Sequence, residues 1–220
     1  MTSSYWPLFG LRLRTPRLEL RPLTEPDLEP LAALLPDDVE LNPEAPAYDV
    51  RDLHVARGIV VHQEYWRSYG TWRVEAWRLN FAVFADARLI GTQELEGNDF
   101  PLLRTVDTSS WLAADARGRG YGKEMRRAVL ACAFGPMSAI AAVTSAWHDN
   151  HGSLGVSRAL GYLANGETLH RRGDGVDVMV HLRLRREGWM ATEGAADIAI
   201  DGFDSCRHLF GLSSDDERLR

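Results

Sequence analysis

The residues best placed to do chemistry lie in one short stretch. Arg117, Gly118, Arg119, Gly120, Tyr121, Gly122 and Lys123 run directly into a helical pattern that extends from Glu124 to Phe134. A glycine-rich turn opening into a helix presents free backbone N–H groups at the positive end of the helix dipole, which is an anion site. Glycines let the backbone approach a ligand, and arginines match phosphate oxygens. Arg117, Arg119, Lys123, Arg126 and Arg127 face one acid, Glu124, within a chain whose net charge is −6. The contrast marks a local polyanion site rather than a basic surface. Two phosphate motifs do not fit. A dinucleotide fingerprint wants G-x-G-x-x-G after the first strand of a doubly wound unit, and a P-loop wants Ser or Thr after Gly-Lys, where this chain has Glu124.

The elements that must position this turn follow from periodicity. Arg17–Leu23 alternates as a half-buried strand. Thr24 caps a helix whose core face is Leu28, Leu31, Ala32 and Leu35. Residues 36–48 read as a loop and 51–69 as a second helix, with His62 as a wall residue. Residues 79–85 and 88–96 form a hairpin turned at Asp86-Ala87, 97–104 a loop, and 105–113 a strand ending at the glycine turn. The following helix places Tyr121, Met125, Ala128, Val129 and Cys132 on one stripe. Cys132 therefore packs in the core, about 18 Å along the helix from Gly120. Residues 139–146 form a buried strand. Asn150 to Ser153 opens a short helix closed at Gly161. A strand starts at Tyr162, and residues 176–185 form the last strand of a hairpin. Ile198 and Ile200 suggest a further strand, residues 203–210 a turn or short helix, and residues 213–220 a fraying tail. The sum is an α/β fold with a mixed central sheet flanked by helices.

Composition narrows the classes. With 220 residues, 45% of them hydrophobic, the chain has enough material for one self-supporting core, divided as a core of 15–186, an aromatic N-terminal arm of 1–14 and a C-terminal extension of 187–220. The arm is expected to pack on the domain, and arm and extension are the segments available to a homodimer. Cys132 and Cys206 have neither metal-like nor secretory spacing, and His148 and His151 flank a loop without helical ligand spacing, so no metal is expected. Nucleic acid and membrane are not expected partners, and a reduced cytoplasmic setting is.

Arg117-Gly118-Arg119-Gly120-Tyr121-Gly122 resembles the R/Q-x-x-G-x-G/A motif of the GNAT superfamily of N-acetyltransferases, and Ser110-Trp111-Leu112 resembles their fourth strand. Asn150-His151-Gly152-Ser153 with Leu160-Gly161-Tyr162 resembles the N-x-x-S … L-G-F/Y segment of the branch acting on ribosomal proteins and small amines. The segments Trp6-Pro7-Leu8-Phe9, Phe100-Pro101, 106–112 and Asp201-Gly202-Phe203-Asp204 resemble a mycobacterial member described as succinyl-CoA-dependent. The resemblance implies the acyl-CoA N-acyltransferase fold, splayed between its fourth and fifth strands. It implies acetyl-CoA or succinyl-CoA as co-substrate, and a small-molecule, peptide or protein amine as acceptor. By the same resemblance Trp111, Leu112 and Ala113 lie along the pantetheine. Arg117, Gly118, Arg119, Gly120, Tyr121, Gly122 and Lys123 surround the pyrophosphate, Asn150 holds the pantetheine or caps its helix, and Arg126 or Arg127 reaches the 3′-phosphate or lies on a solvated helix face.

Direct transfer to an amine needs a neutral nucleophile. Holding a lysine-like amine neutral at pH 7 costs roughly 4.6 kcal/mol, so a base matters. Asp107, where relatives place a strand glutamate, and Glu94 on the adjoining strand are the candidates. Ser153 is the group implied to protonate the departing thiolate. The rival reading is a non-catalytic acyl-CoA-binding or sensing domain that lacks a working base.

Overall fold

The computed structural model describes residues 4–40, 49–192 and 197–213. The expected loop beyond residue 40 and the expected fraying tail beyond residue 213 lie outside them.

Alternating apolar and polar residues build the sheet. The strands are β1 (Arg12–Arg14), β2 (Leu18–Pro22), β3 (Ala76–Ala85), β4 (Arg88–Asn98), β5 (Thr105–Leu112), β6 (Ala141–Trp147), β7 (Leu163–Arg172), β8 (Gly175–Arg185) and β9 (Ala199–Asp201). Among the described residues they form one nine-stranded sheet in the order β7-β8-β6-β5-β4-β3-β2-β1-β9. All neighbours are antiparallel except β5 and β6, which run parallel. The helices are α1 (Leu28–Leu34), α2 (Leu53–Gly70), α3 (Phe100–Leu103), α4 (Tyr121–Phe134), α5 (His151–Ala159), α6 (Arg186–Met190) and α7 (Phe203–Cys206).

The period of two sends successive side chains to opposite faces. Leu79, Phe81, Leu95 and Val106 pack with Met125, Ala128 and Val129 of α4. Leu23, Leu28, Leu31 and Ala82 form a second cluster with Val61, Tyr65 and Trp111 under α1 and α2. The sheet is therefore covered on both faces, and the polar residues of β3 and β4 on the α1–α2 side have a roof. The α1 start is fixed as its sequence indicates: Asp27 accepts from the Thr24 N–H at 2.9 Å and from its hydroxyl at 2.6 Å. Arg21 completes the corner with a two-pronged bond to Asp27.

Two sequence expectations need correction. The 97–104 loop contains a single helical turn, α3, because Pro101 preorganises its first turn. The arm contributes a short strand, β1, which pairs with β2 on one side and with the edge strand β9 on the other. As expected, the arm packs on the domain: Leu8 is buried and Trp6 packs edge-on to Tyr69 and Trp72, while Phe203, Cys206 and Phe210 of the extension are buried too.

The feature that matters for function is where β5 and β6 stop pairing. Their register holds for Thr105, Val106 and Asp107 against Ala141, Ala142 and Val143, and then ends although both strands continue. β5 instead stays bound to β4 through Leu112, opposite Gly91. Gly91 has φ +154°, and a Cβ there would lie 2.3 Å from the Trp111 carbonyl oxygen. Gly91→Ala is therefore expected to lower stability by about 2–4 kcal/mol through backbone strain and overpacking, read as a shifted urea midpoint; an unchanged midpoint would show that the β5 end is not held this closely.

Candidate active site

The glycine turn is shaped by backbone that suits glycine and held by a buried acid. Gly118 and Gly120 have φ of +73° and +82°, and Gly120 is the N-cap of α4. The first N–H groups of α4 have no intrahelical acceptors. Glu124, in its first turn, accepts from the Thr15 hydroxyl at 2.5 Å, from the Arg17 N–H at 3.1 Å and from Arg17 Nε at 2.7 Å. Arg17 also donates to the Arg119 carbonyl at 3.0 Å and lies over the Tyr121 ring at 4.8 Å. These bonds hold the Glu124 carboxyl below its usual range against the opposing effect of burial. The turn is thus tied to the β1–β2 corner, with Arg119, Gly120 and Lys123 left exposed.

Two of the five cations do other work. Arg117 donates to the Leu112 carbonyl at 3.1 Å and to both Asp38 oxygens at 2.6 and 2.9 Å, so its guanidinium anchors the loop rather than adding free charge. Arg126 is neither on a solvated face nor free for a 3′-phosphate: it is 2% exposed, and its Nη1 and Nη2 donate to Thr144 Oγ1 at 3.4 Å and Ser110 Oγ at 3.2 Å. Charge counting missed this because Arg126 sits beside Met125 at the edge of the apolar stripe.

The second motif meets the first. A Cβ on Gly122 would lie 3.5 Å from the Val156 side chain, so α5 packs close to the start of α4. Asn150 caps α5 by accepting from the Ser153 N–H at 3.0 Å, and Ser153 is half-buried in the first turn. Leu112 and Ala113 are buried, the latter donating to the Ile90 carbonyl at 2.8 Å. Parted strands, a helix start rich in free N–H groups and a Cβ-free turn together fit a long ligand with a phosphate midway.

On the α1–α2 side a cavity of about 300 Å³ opens against β3, β4 and β5, walled by Leu23, Leu31, Val60, Val61, Tyr65 and Trp111 and floored by Arg78, Glu94 and Ser109. Glu64 lines it too. Arg78 is shared by three acids, Glu64 at 3.1 Å, Glu96 at 3.1 Å and Glu94 at 3.5 Å. Ser109 Oγ donates to Glu94 at 3.1 Å. Burial pushes the Glu94 carboxyl up to about 7, with Glu96 and Asp107 adding to the rise and Arg78 and Ser109 opposing it. Asp107 is pushed up to about 6, chiefly by the surrounding protein mass, although its side chain keeps a solvent-facing surface and lies outside the cavity lining. Of the two candidate bases the structure therefore brings Glu94 to the cavity. Glu64, Tyr65 and Arg78 escaped sequence reading because nothing local shows that α2 lies over β3.

Residues 17–163 match the acetyltransferase (GNAT) domain model. The chain belongs to the GNAT acetyltransferase family. The family's class of activity is acyl-CoA-dependent N-acetyl transfer. The fold is similar to that of Mycobacterium smegmatis RimJ in complex with CoA-disulfide (TM-score 0.68, 17% identity, 87% of this chain and 97% of that one). It is also similar to a chimera of Vibrio cholerae spermidine N-acetyltransferase SpeG and hSSAT (0.61, 14%, 80% and 99%) and to a GNAT-family acetyltransferase of Bacillus anthracis (0.60, 15%, 80% and 99%). No helix among the described residues is long and apolar enough to cross a membrane.

Gly120→Glu puts bulk and negative charge on the α4 N-cap. Affinity for CoA by calorimetry is expected to fall about 100-fold or more; unchanged affinity would remove the turn from the binding site.

Proposed function

We propose that this GNAT acetyltransferase moves an acetyl or succinyl group from acyl-CoA to a primary amine by direct attack, with Glu94 as general base. The observation that carries the reading is a carboxyl titrating near neutrality on the floor of an apolar-walled cavity that shares β5 with the strand opening. A base is most useful when its pKa lies near the working pH. The CoA of the RimJ complex and the spermidine substrate class in SpeG's name support the pairing of a CoA donor with an amine acceptor.

In this reading the free N–H groups from Arg119 to Lys123 hold the diphosphate, and Trp111 to Ala113 border the pantetheine. The cavity admits a cationic amine, since Glu64 and Glu94 outnumber Arg78 in its lining and Arg78 is shared with Glu96 as well. Glu94 first takes a proton from the ammonium, which frees the nitrogen lone pair, and the neutral amine then attacks the thioester carbon. The C–N bond forms, the C–S bond breaks, and Ser153 gives its hydroxyl proton to the departing thiolate and regains one from the second proton that nitrogen loses as the amide forms. Asp107, close enough to raise the Glu94 pKa, tunes the base from outside the cavity. The acceptor is a small amine or the amine of a peptide or protein.

The sign of the pH dependence follows from the carboxylate being the active form. At a saturating amine, kcat is expected to rise with pH through about 7 and level off above it. Glu94→Gln is expected to lower kcat about 100-fold and to abolish the inflection; an unaltered profile would take the base role from Glu94. The raised pKa also means that stability contributed by the protonated carboxyl below about 4.5 is lost as pH rises through about 7. Tight CoA binding without thiol release for any amine would make the chain a sensor instead.

A further inference from the structure

The cavity under α1 and α2 changes character along its length. Its floor lies on rows of residues paired across β3, β4 and β5, two positions apart on each strand and therefore on one face. The first row, Arg78–Glu96–Asp107, is charged and sends Arg78 into the lining. The second, Asn80–Glu94–Ser109, is polar. The third, Ala82–Thr92–Trp111, is apolar in effect. Ala82 and Trp111 belong to the cluster of Leu23, Leu28 and Leu31, and the Thr92 hydroxyl is spent on the Phe81 carbonyl at 2.9 Å. The roof repeats this order. Glu64 reaches Arg78 at 3.1 Å, whereas Val61, one turn earlier on α2, packs in the apolar cluster.

The charges are confined to one end. Glu64 and Glu94 pair with the same guanidinium, at 3.1 and 3.5 Å, so both carboxylates of the lining stand around Arg78. Arg78 divides its charge among Glu64, Glu94 and Glu96 and has none to offer a further anion. The other end is made by Val61 and Trp111 with the buried Leu23 and Leu31, and no charged group of the described lining lies among them. A second ammonium at that end would lose its hydration without gaining a counter-charge, and a peptide backbone would leave N–H and C=O groups unpaired. A carboxylate beside the reacting amine would face Glu64 and Glu94. A volume of about 300 Å³ is at the small end for ligand sites, which suits a compact molecule held whole.

We infer that the acceptor is a compact primary monoamine with an uncharged, apolar body, its nitrogen on Glu94 and its body against Val61 and Trp111. This rests on the transferase reading above and narrows the acceptor within it. Polyamines and peptide amines are disfavoured by the apolar end, and amino acids by the carboxylates around Arg78. Pentylamine and phenethylamine have the required shape: adjacent rows of the floor lie about 7 Å apart, and either body spans that step. Val61 sets specificity, because it lies on the roof where the far end of the acceptor must go.

Thiol release from acetyl-CoA is measured with two matched pairs of acceptors: pentylamine against cadaverine, the same chain with an amine at both ends, and phenethylamine against phenylalanine. In each pair the molecule without the extra charge is expected to lead in kcat/KM by about 10- to 100-fold, the range for burying a charge without a partner. Val61→Glu puts a carboxylate at the apolar end and is expected to reverse the first ratio in favour of cadaverine while leaving the second in place. Equal or better use of cadaverine or phenylalanine by wild type would overturn the inference without any variant having to fold. So would a Val61→Glu protein, folded by circular dichroism, that keeps the wild-type preference for pentylamine. Release with spermidine or a peptide but with neither monoamine would sink only this acceptor class, whereas no release with any amine would sink the transferase reading beneath it.

Discussion

The molecule depends on two neighbouring parallel strands that are prevented from completing their ladder. After Asp107 and Val143 the backbone groups of β5 and β6 that face each other lose their partners, and a sheet interior does not tolerate that without replacement. At the first step side chains supply the bonds: Thr144 donates to the Thr108 carbonyl and Thr108 to the Val143 carbonyl at 3.3 Å. Beyond that step the arms part, with β5 held to β4 through Leu112 and β6 held to β8 through Trp147. Each arm has a full partner on its outer side, so the opening is a stable feature of the sheet.

The glycine turn and the cavity lie on opposite faces of the sheet. α4 lies beneath the opening, and its start is fixed by the bonds of Glu124 to Thr15 and Arg17. That clamp places the free N–H groups of the glycine turn beside the outer end of β5. On the opposite face α1 and α2 roof the polar residues of β3 and β4, and the same roof that forms the cavity removes water from Glu94. Burial thus creates both the cavity and a carboxyl raised to about 7. The shared wall is β5, where Ser109 meets Glu94 on one face and Ser110 meets Arg126 on the other. The alternation of a strand separates an acid chemistry from a cation chemistry across a single peptide unit.

Much of this could be read from the chain before folding. Strand alternation gave the hairpin of β3 and β4, and Ile198 and Ile200 marked β9. The glycine turn was legible because positive φ at Gly118 and Gly120 is a local requirement that the residue type announces. The one-turn helix α3 and the three-residue β1 were not, since neither is long enough to show a period. Arg126 was misread for a related reason: sequence shows which residues flank an apolar stripe, but not that a sheet opens beside them. Asp107 and Glu94 were legible only as carboxylates on adjoining strands. Which of them loses its water is decided by α2, whose approach to β3 is a long-range contact with no local signature.

The central claim is that coenzyme A lies along the β5–β6 opening with its diphosphate on the start of α4. Backbone amide hydrogen exchange with and without CoA tests it most directly, because the free N–H groups at issue are themselves the reporters. On this account CoA slows exchange at the amides from Arg119 to Lys123 and along the outer end of β5, and leaves the β7–β8 hairpin tip unchanged. Binding of CoA with no slowing at those turn amides would contradict it.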